Sequence, residues 1–197
     1  MDHGYDLVAI GASAGGLAAV CTLLGLLPAT FEIPIVIVQH RAKESLALAE
    51  VLQDCTKLKV YEAEDKMPLE PRTVYIAPPD YHLLIDDGRL ALSTEDLVLF
   101  SRPSIDVFFD SAADSYGAGI IGIVLTGANS DGSKGLKKIA ARGGQTIVQD
   151  PDTAEIQMMP ASAQKAVRKA RVLDLEEIAK HLVKLEAIHR QMAAGQS

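Results

Sequence analysis

Leu7-Val8-Ala9-Ile10-Gly11-Ala12-Ser13-Ala14-Gly15-Gly16 decides how the rest of the chain is read. It reads as a short buried strand, a glycine-bracketed serine and the start of a helix. Residues 14–27 carry Leu17, Val20, Cys21, Leu24 and Leu27 at helical spacing. Pro28 closes that helix, since a proline cannot continue one and pushes its predecessor out of the α region. A serine at a strand-to-helix turn exposes its hydroxyl beside backbone N–H groups. That is what a nucleophile needs, with donors nearby for the oxyanion that attack creates. A second reading stays open, because glycine-rich turns also cradle phosphates. Against G-x-G-x-x-G the turn matches at Gly11 and Gly16 but carries Ser13 in the middle, where a pyrophosphate wants no side chain.

The chain has 197 residues, 48% of them apolar, only 5% aromatic and no tryptophan. A single domain is expected at this length, burying about 70% of its unfolded surface. A core of Val, Ile, Leu and Ala suits a parallel sheet covered by helices. The net charge of −7 leaves no basic surplus to neutralise phosphates, so nucleic acid is not an expected partner. The densest basic patch, Lys165 to Arg171, reads as a solvated helix face. Leu7 to Ile10 is too short and lacks the basic flank of a signal peptide, and no run approaches the ~18 apolar residues of a membrane span. Cys21 and Cys55 fall on predicted helices and read as reduced core thiols, not as a disulfide or a metal pair. The expected setting is the cytoplasm, with no membrane insertion.

Further along, Ile33 to Val38 is a continuous apolar strand that ends in Gln39-His40-Arg41. A helix is expected over Lys43 to Cys55, short strands at Leu58–Tyr61 and Val74–Ile76, and a charged loop over Glu62 to Lys66. Asp86-Asp87-Gly88 between His82–Ile85 and Arg89–Leu92 signals a hairpin. Ser104 to Tyr116 is an amphipathic helix and Ile120 to Leu125 a buried strand, followed by the polar loop Thr126-Gly127-Ala128-Asn129-Ser130-Asp131-Gly132. A helix at Lys134–Arg142, a strand at Gln145–Gln149 and an irregular stretch over Asp150–Met159 come next. Pro160 suits a first helical position, and Asp174 with Glu177 forms a capping-box pair before a last helix running to about Met192. The pattern predicts a three-layer, doubly wound α/β fold with a mostly parallel sheet and an inserted β-hairpin.

Ligands of open parallel sheets sit outside the carboxyl ends of the strands. Those ends carry Ser13, then Gln39-His40, then the loop holding Asp131. A serine, a histidine and an aspartate there can serve as nucleophile, base and orienting acid. His82 competes for the base but lies in the hairpin, and His3, His181 and His189 are near the termini. Asp131-Gly132 is also ordinary turn chemistry. The order Ser, His, Asp differs from the Ser, Asp, His order of α/β-hydrolases. A dinucleotide site wants an acid after the second strand, where this chain has His40-Arg41. Arg41 leaves only an NADP-type variant of that reading.

In their order, these motifs resemble the catalytic domain of the CheB-type chemotaxis protein-glutamate methylesterases. The likeness runs through Val8 to Gly16, Val38-Gln39-His40, Ile76-Ala77-Pro78-Pro79-Asp80-Tyr81-His82 and Arg102-Pro103-Ser104-Ile105-Asp106. It continues through Leu125-Thr126-Gly127, Asp131-Gly132, Gly143-Gly144 and Gln149-Asp150 to Met159-Pro160, covering residues 7–167. The resemblance implies a serine hydrolase of γ-glutamyl methyl esters on the cytoplasmic helices of chemoreceptors, with some members also deamidating receptor glutamines. It implies a triad of Ser13, His40 and Asp131, no metal and no organic cofactor. Oxyanion donors are expected from Ala14 or Gly15 and from the loop before Asp131.

The chain departs from the family pattern in three ways. No receiver domain precedes the first strand, so the chain reads as a stand-alone version or a fragment, with a separate response regulator or signalling protein as an expected partner. Ala14 replaces the threonine common after the nucleophile, and Gly127-Ala128-Asn129 replaces Gly-Met-Gly. These changes keep two alternatives open: the same chemistry on another ester or amide outside chemotaxis, and a non-catalytic nucleotide-binding or regulatory module. Arg102 is read either as a guide for an acidic helix or as a helix-start or salt-bridge residue.

Overall fold

Runs of Val, Ile, Leu and Ala too short to be helices pair side by side at the centre of the computed structural model, which describes residues 4–40, 48–98 and 100–194. In chain order the elements begin with β1 (Leu7–Ala12), α1 (Gly16–Leu26), β2 (Ile35–Gln39), α2 (Leu48–Cys55), β3 (Lys59–Glu62) and β4 (Thr73–Ile76). The hairpin β5 (His82–Asp86) and β6 (Arg89–Ser93) follows, then α3 (Ile105–Tyr116), β7 (Ile120–Val124) and α4 (Ser133–Ala141). The chain closes with β8 (Gln145–Gln149), α5 (Met158–Ala166), β9 (Arg171–Leu173) and α6 (Leu175–Ala194).

Seven strands form one sheet in the order β3-β4-β2-β1-β7-β8-β9, and every neighbouring pair is parallel. Strands β1, β2 and β7 are buried along their whole length, as a sheet covered on both faces requires. Alternate residues therefore feed two separate cores. Val8, Ile10, Ile35, Ile37 and Ile123 pack against α1, α2 and α6, whereas Leu7, Ala9, Val36, Val38 and Val124 pack against α3, α4 and α5. The edge strand β3 is short, largely exposed and charged at Lys59 and Glu62, features that discourage pairing with a further strand.

The fold is the three-layer α/β arrangement expected from the sequence. The β5–β6 hairpin stands apart as its own two-stranded sheet, with positive φ at Asp87 (48°) and Gly88 (70°) as a tight mirror-image turn requires. The capping box also forms: Asp174 N–H donates to Glu177 Oε2 at 3.0 Å, and Glu177 N–H to Asp174 Oδ1 at 2.8 Å. Arg41 and the expected helix start at Lys43 lie outside the described residues. No helix among the described residues is long and apolar enough to cross a membrane.

Three local expectations are corrected. Strand β9 has only three residues, too few to show a period, and it takes Arg171 into the sheet, so Lys165 to Arg171 is not one helix face. Helix α5 starts at Met158, two residues before Pro160. Cys21 and Cys55 are not reduced core thiols: they form a disulfide between α1 and α2 with Cα atoms 5.2 Å apart. Their helices pack together, and both residues sit half-buried at that contact. Thiol titration of the denatured, unreduced protein is expected to find neither cysteine, and both after reduction. Closing a loop of this span is worth up to about 3–4 kcal/mol in the chain-entropy account, so reduction is expected to lower the urea midpoint.

Candidate functional site

The sheet order changes direction between β1 and β7: from β1 the chain builds outward through β2 and β4, then returns to add β7 on the other side. At such a switch point the loops after neighbouring strands diverge and leave a crevice. Ser13 follows β1, His40 follows β2 and the Asp131 loop follows β7, so the topology brings all three to one end of the sheet.

The serine turn is tied down through the Ser13 N–H and the carbonyls of Ser13 and Ala14. Ser13 N–H donates to Thr126 O at 3.0 Å. Ser13 O accepts from Gly16 N–H at 2.8 Å and from the Gln39 side-chain amide at 2.7 Å. Gly15, with φ of 75°, makes the left-handed step into α1, and a side chain on Gly16 would collide with the Gln39 amide. Thr126 Oγ1 donates to Ala14 O at 2.9 Å and accepts from Ile156 N–H at 2.9 Å, which joins this turn to the segment before α5. Ser13 Oγ itself has no hydrogen-bond partner among the described residues.

His40 and Asp131 meet directly. The ring Nε2 lies 2.8 Å from Asp131 Oδ2, with the histidine side chain 11% exposed and the aspartate wholly buried. Asp131 also accepts from Ile105 N–H at 2.7 Å, Asp106 N–H at 2.9 Å, Ser104 Oγ at 3.0 Å and Gly132 N–H at 3.0 Å. Burial alone would raise its carboxyl, but the bonds from His40 and from the Asp106 and Ile105 N–H groups outweigh that and hold it below the ordinary carboxylate range. The first turn of α3 thus supplies donors to this carboxylate. Gly11 and Gly132 let it come so close, because a Cβ on either would strike Ile105.

Other candidates resolve differently. His82 is buried with both ring nitrogens committed: Ser104 N–H donates to Nδ1 at 3.2 Å, and Nε2 lies 3.0 Å from Asp96 O. It braces the hairpin against α3. Arg102 is the salt-bridge residue, holding Asp80 Oδ1 at 2.7 Å and the carbonyls of Thr94 and Glu95 at 2.8 and 2.9 Å. His181 is on α6, while His3 and the side chain of His189 lie outside the described residues. Of the oxyanion donors, the N–H groups of Ser13 and Gly127 are already bonded, the latter to Ile156 O at 3.2 Å. Those of Ala14, Gly15 and Ala128 hold no partner among the described residues. The sequence alone gives Gln39 and Ser104 no role, and the one signal for Ser104 is its place as a helix cap after Pro103.

A family model for CheB methylesterase matches residues 8–182. A protein of Leptospira interrogans named as a protein-glutamate methylesterase/protein-glutamine glutaminase is 48% identical over 184 residues, which is 92% of this chain and 95% of that protein. Protein-glutamate methylesterase FrzG of Myxococcus xanthus is 42% identical over 88% of this chain but only 53% of its own length. The crystal structure of the Thermotoga maritima CheB methylesterase catalytic domain matches with a TM-score of 0.87 at 34% identity, covering 93% of this chain and 100% of that one. The chain is therefore an enzyme of the ester-hydrolase class. Within that class it belongs to the CheB methylesterase family.

Asp131→Ala leaves the N–H groups of Ile105 and Asp106 without their buried acceptor. Urea unfolding at neutral pH is expected to show a loss on the order of 3 kcal/mol. Because the folded carboxyl is depressed, its contribution is complete above the ordinary value of 3.8 and disappears only as pH falls through the lower folded value. The gap between wild-type and variant stability should narrow only at pH values below 3.8.

Proposed function

We propose that the chain hydrolyses γ-glutamyl methyl esters on the cytoplasmic helices of chemoreceptors, with Ser13 as nucleophile, His40 as base and Asp131 as the acid that orients it. The observation that carries this reading is the buried hydrogen bond from His40 Nε2 to Asp131 Oδ2 beside the exposed end of the serine turn. With Nε2 committed to the carboxylate, the basic lone pair is on Nδ1. Ser13 Oγ attacks the ester carbonyl while Nδ1 takes its proton, and Asp131 stabilises the imidazolium. The N–H groups of Ala14 or Gly15 and of Ala128 receive the oxyanion, each worth about 10²–10³ in rate. Collapse breaks the bond to methoxide, which leaves as methanol with the proton from Nδ1. Water then attacks the glutamyl-enzyme, gives its proton to Nδ1, and the glutamate carboxylate leaves as Ser13 regains its hydrogen.

The same cycle with an amide expels ammonia, and the name of the Leptospira relative covers both activities. A cytoplasmic setting and control by a separate response regulator belong to this proposal. A second reading, the same chemistry on another ester, draws on Ala128 and Asn129, which line the loop between β7 and Asp131. Methanol release from a carboxyl-methylated chemoreceptor cytoplasmic fragment tests the first. Ser13→Ala and His40→Ala are each expected to cut turnover by about 10⁶. Persistent release by folded Ser13→Ala would exclude the triad. No release by the wild type, with hydrolysis of a simple activated ester intact, would favour the second reading.

A further inference from the structure

The neutral imidazole of His40 has one in-plane lone pair for accepting a proton, and in this structure that lone pair is occupied. The side-chain nitrogen of Asn129 lies 3.3 Å from His40 Nδ1. The amide cannot be turned the other way round without loss, because Asn129 Oδ1 accepts the N–H of Asp131 at 3.0 Å. With oxygen fixed to that N–H, nitrogen faces the ring and donates to Nδ1, which agrees with a proton on Nε2 directed at Asp131 Oδ2. Ser13 Oγ, the group that needs Nδ1, holds no hydrogen bond among the described residues. The resting site therefore has an ordered His–Asp pair whose working nitrogen is capped by an amide.

We propose that Asn129 is a positioning residue that covers the base in the resting enzyme and must swing away before Ser13 can be deprotonated. This rests on the triad reading above and adds a restraint to it. The amide is half-buried, but its neighbours Ala128 and Ser130 are exposed, so it has a path outward towards solvent. A substrate that engages the loop between β7 and α4 exchanges the amide for the serine hydroxyl at Nδ1. Until then the cap lowers the nucleophilicity of Ser13 while holding the ring in the tautomer that attack requires.

The test uses the full chain, a fluorophosphonate reporter and the variant Asn129→Ser. A serine hydroxyl can still accept the Asp131 N–H in a turn of the same kind but is too short to reach the ring. In the labelling step Ser13 Oγ forms a bond to phosphorus, the phosphorus–fluorine bond breaks, fluoride leaves, and the serine proton goes to Nδ1. Removing one neutral hydrogen bond from the base is expected to speed labelling about 3–10-fold. The imidazole ¹⁵N spectrum should show the Nδ1 resonance of His40 move towards that of an uncapped acceptor, with Nε2 still protonated. Labelling at or below the wild-type rate in a variant of unchanged melting temperature, or an unmoved Nδ1 resonance, overturns the cap. Wild-type labelling that survives Ser13→Ala instead overturns the triad, and the cap with it.

Discussion

One buried carboxylate holds the functional end of the molecule together. Asp131 accepts hydrogen bonds from His40, from Ser104 and from the N–H groups of Ile105, Asp106 and Gly132, so it faces a strand-end loop and a helix start at once. A charge this deep is tolerated only where its lone pairs are met. Here two of the donors are helix N–H groups that would themselves be orphans without it. The carboxylate that binds the histidine also satisfies the first N–H groups of α3, beside its N-cap Ser104, so removing it disturbs both contacts at once.

Packing glycines make that economy possible. Gly11 in β1 and Gly132 before α4 have no side chain because Ile105 occupies the space, which seats the first turn of α3 against the ends of β1 and β7. Apolar contact sets the distance over which the polar contacts then act. Asp106, one residue further, is itself pushed up by burial, against bonds from Gly135 N–H, and by the nearby charge of Asp131. It still accepts Gly135 N–H at 2.8 Å, which fastens α4 to the same turn. Two carboxylates that meet at the start of α3, one from the loop after β7 and one from the helix itself, thus diverge: Asp131 is held low by its donors and Asp106 is raised.

Much of this was legible because strand ends are easy to find. The apolar runs at Leu7–Ile10, Ile33–Val38 and Ile120–Leu125 break sharply into polar residues, and the carboxyl-end rule for parallel sheets turns those breaks into one site. Interactions between segments far apart in the chain were hidden. Nothing near Asp131 announces that Ser104 to Asp106 will supply its donors, and Gln39 beside His40 gave no sign that its amide would hold the serine turn. Gly11 looked like part of a phosphate-type turn, whereas its bareness serves Ile105. Asn129 showed only as a change of residue type, since its meaning depends on where an imidazole nitrogen ends up. The cysteines misled because helical position says which side of a helix a thiol occupies but not what stands opposite.

That cross-link has a consequence for how the molecule responds to its surroundings. The bond between Cys21 and Cys55 closes a covalent ring that contains β2 and His40, with Ser13 just outside it. A chain so closed has two denatured ensembles, a ring with tails when oxidised and a free coil when reduced, set against much the same folded sheet. The protein consequently has two free energies of unfolding, and the thiol–disulfide poise of the compartment selects which of them applies.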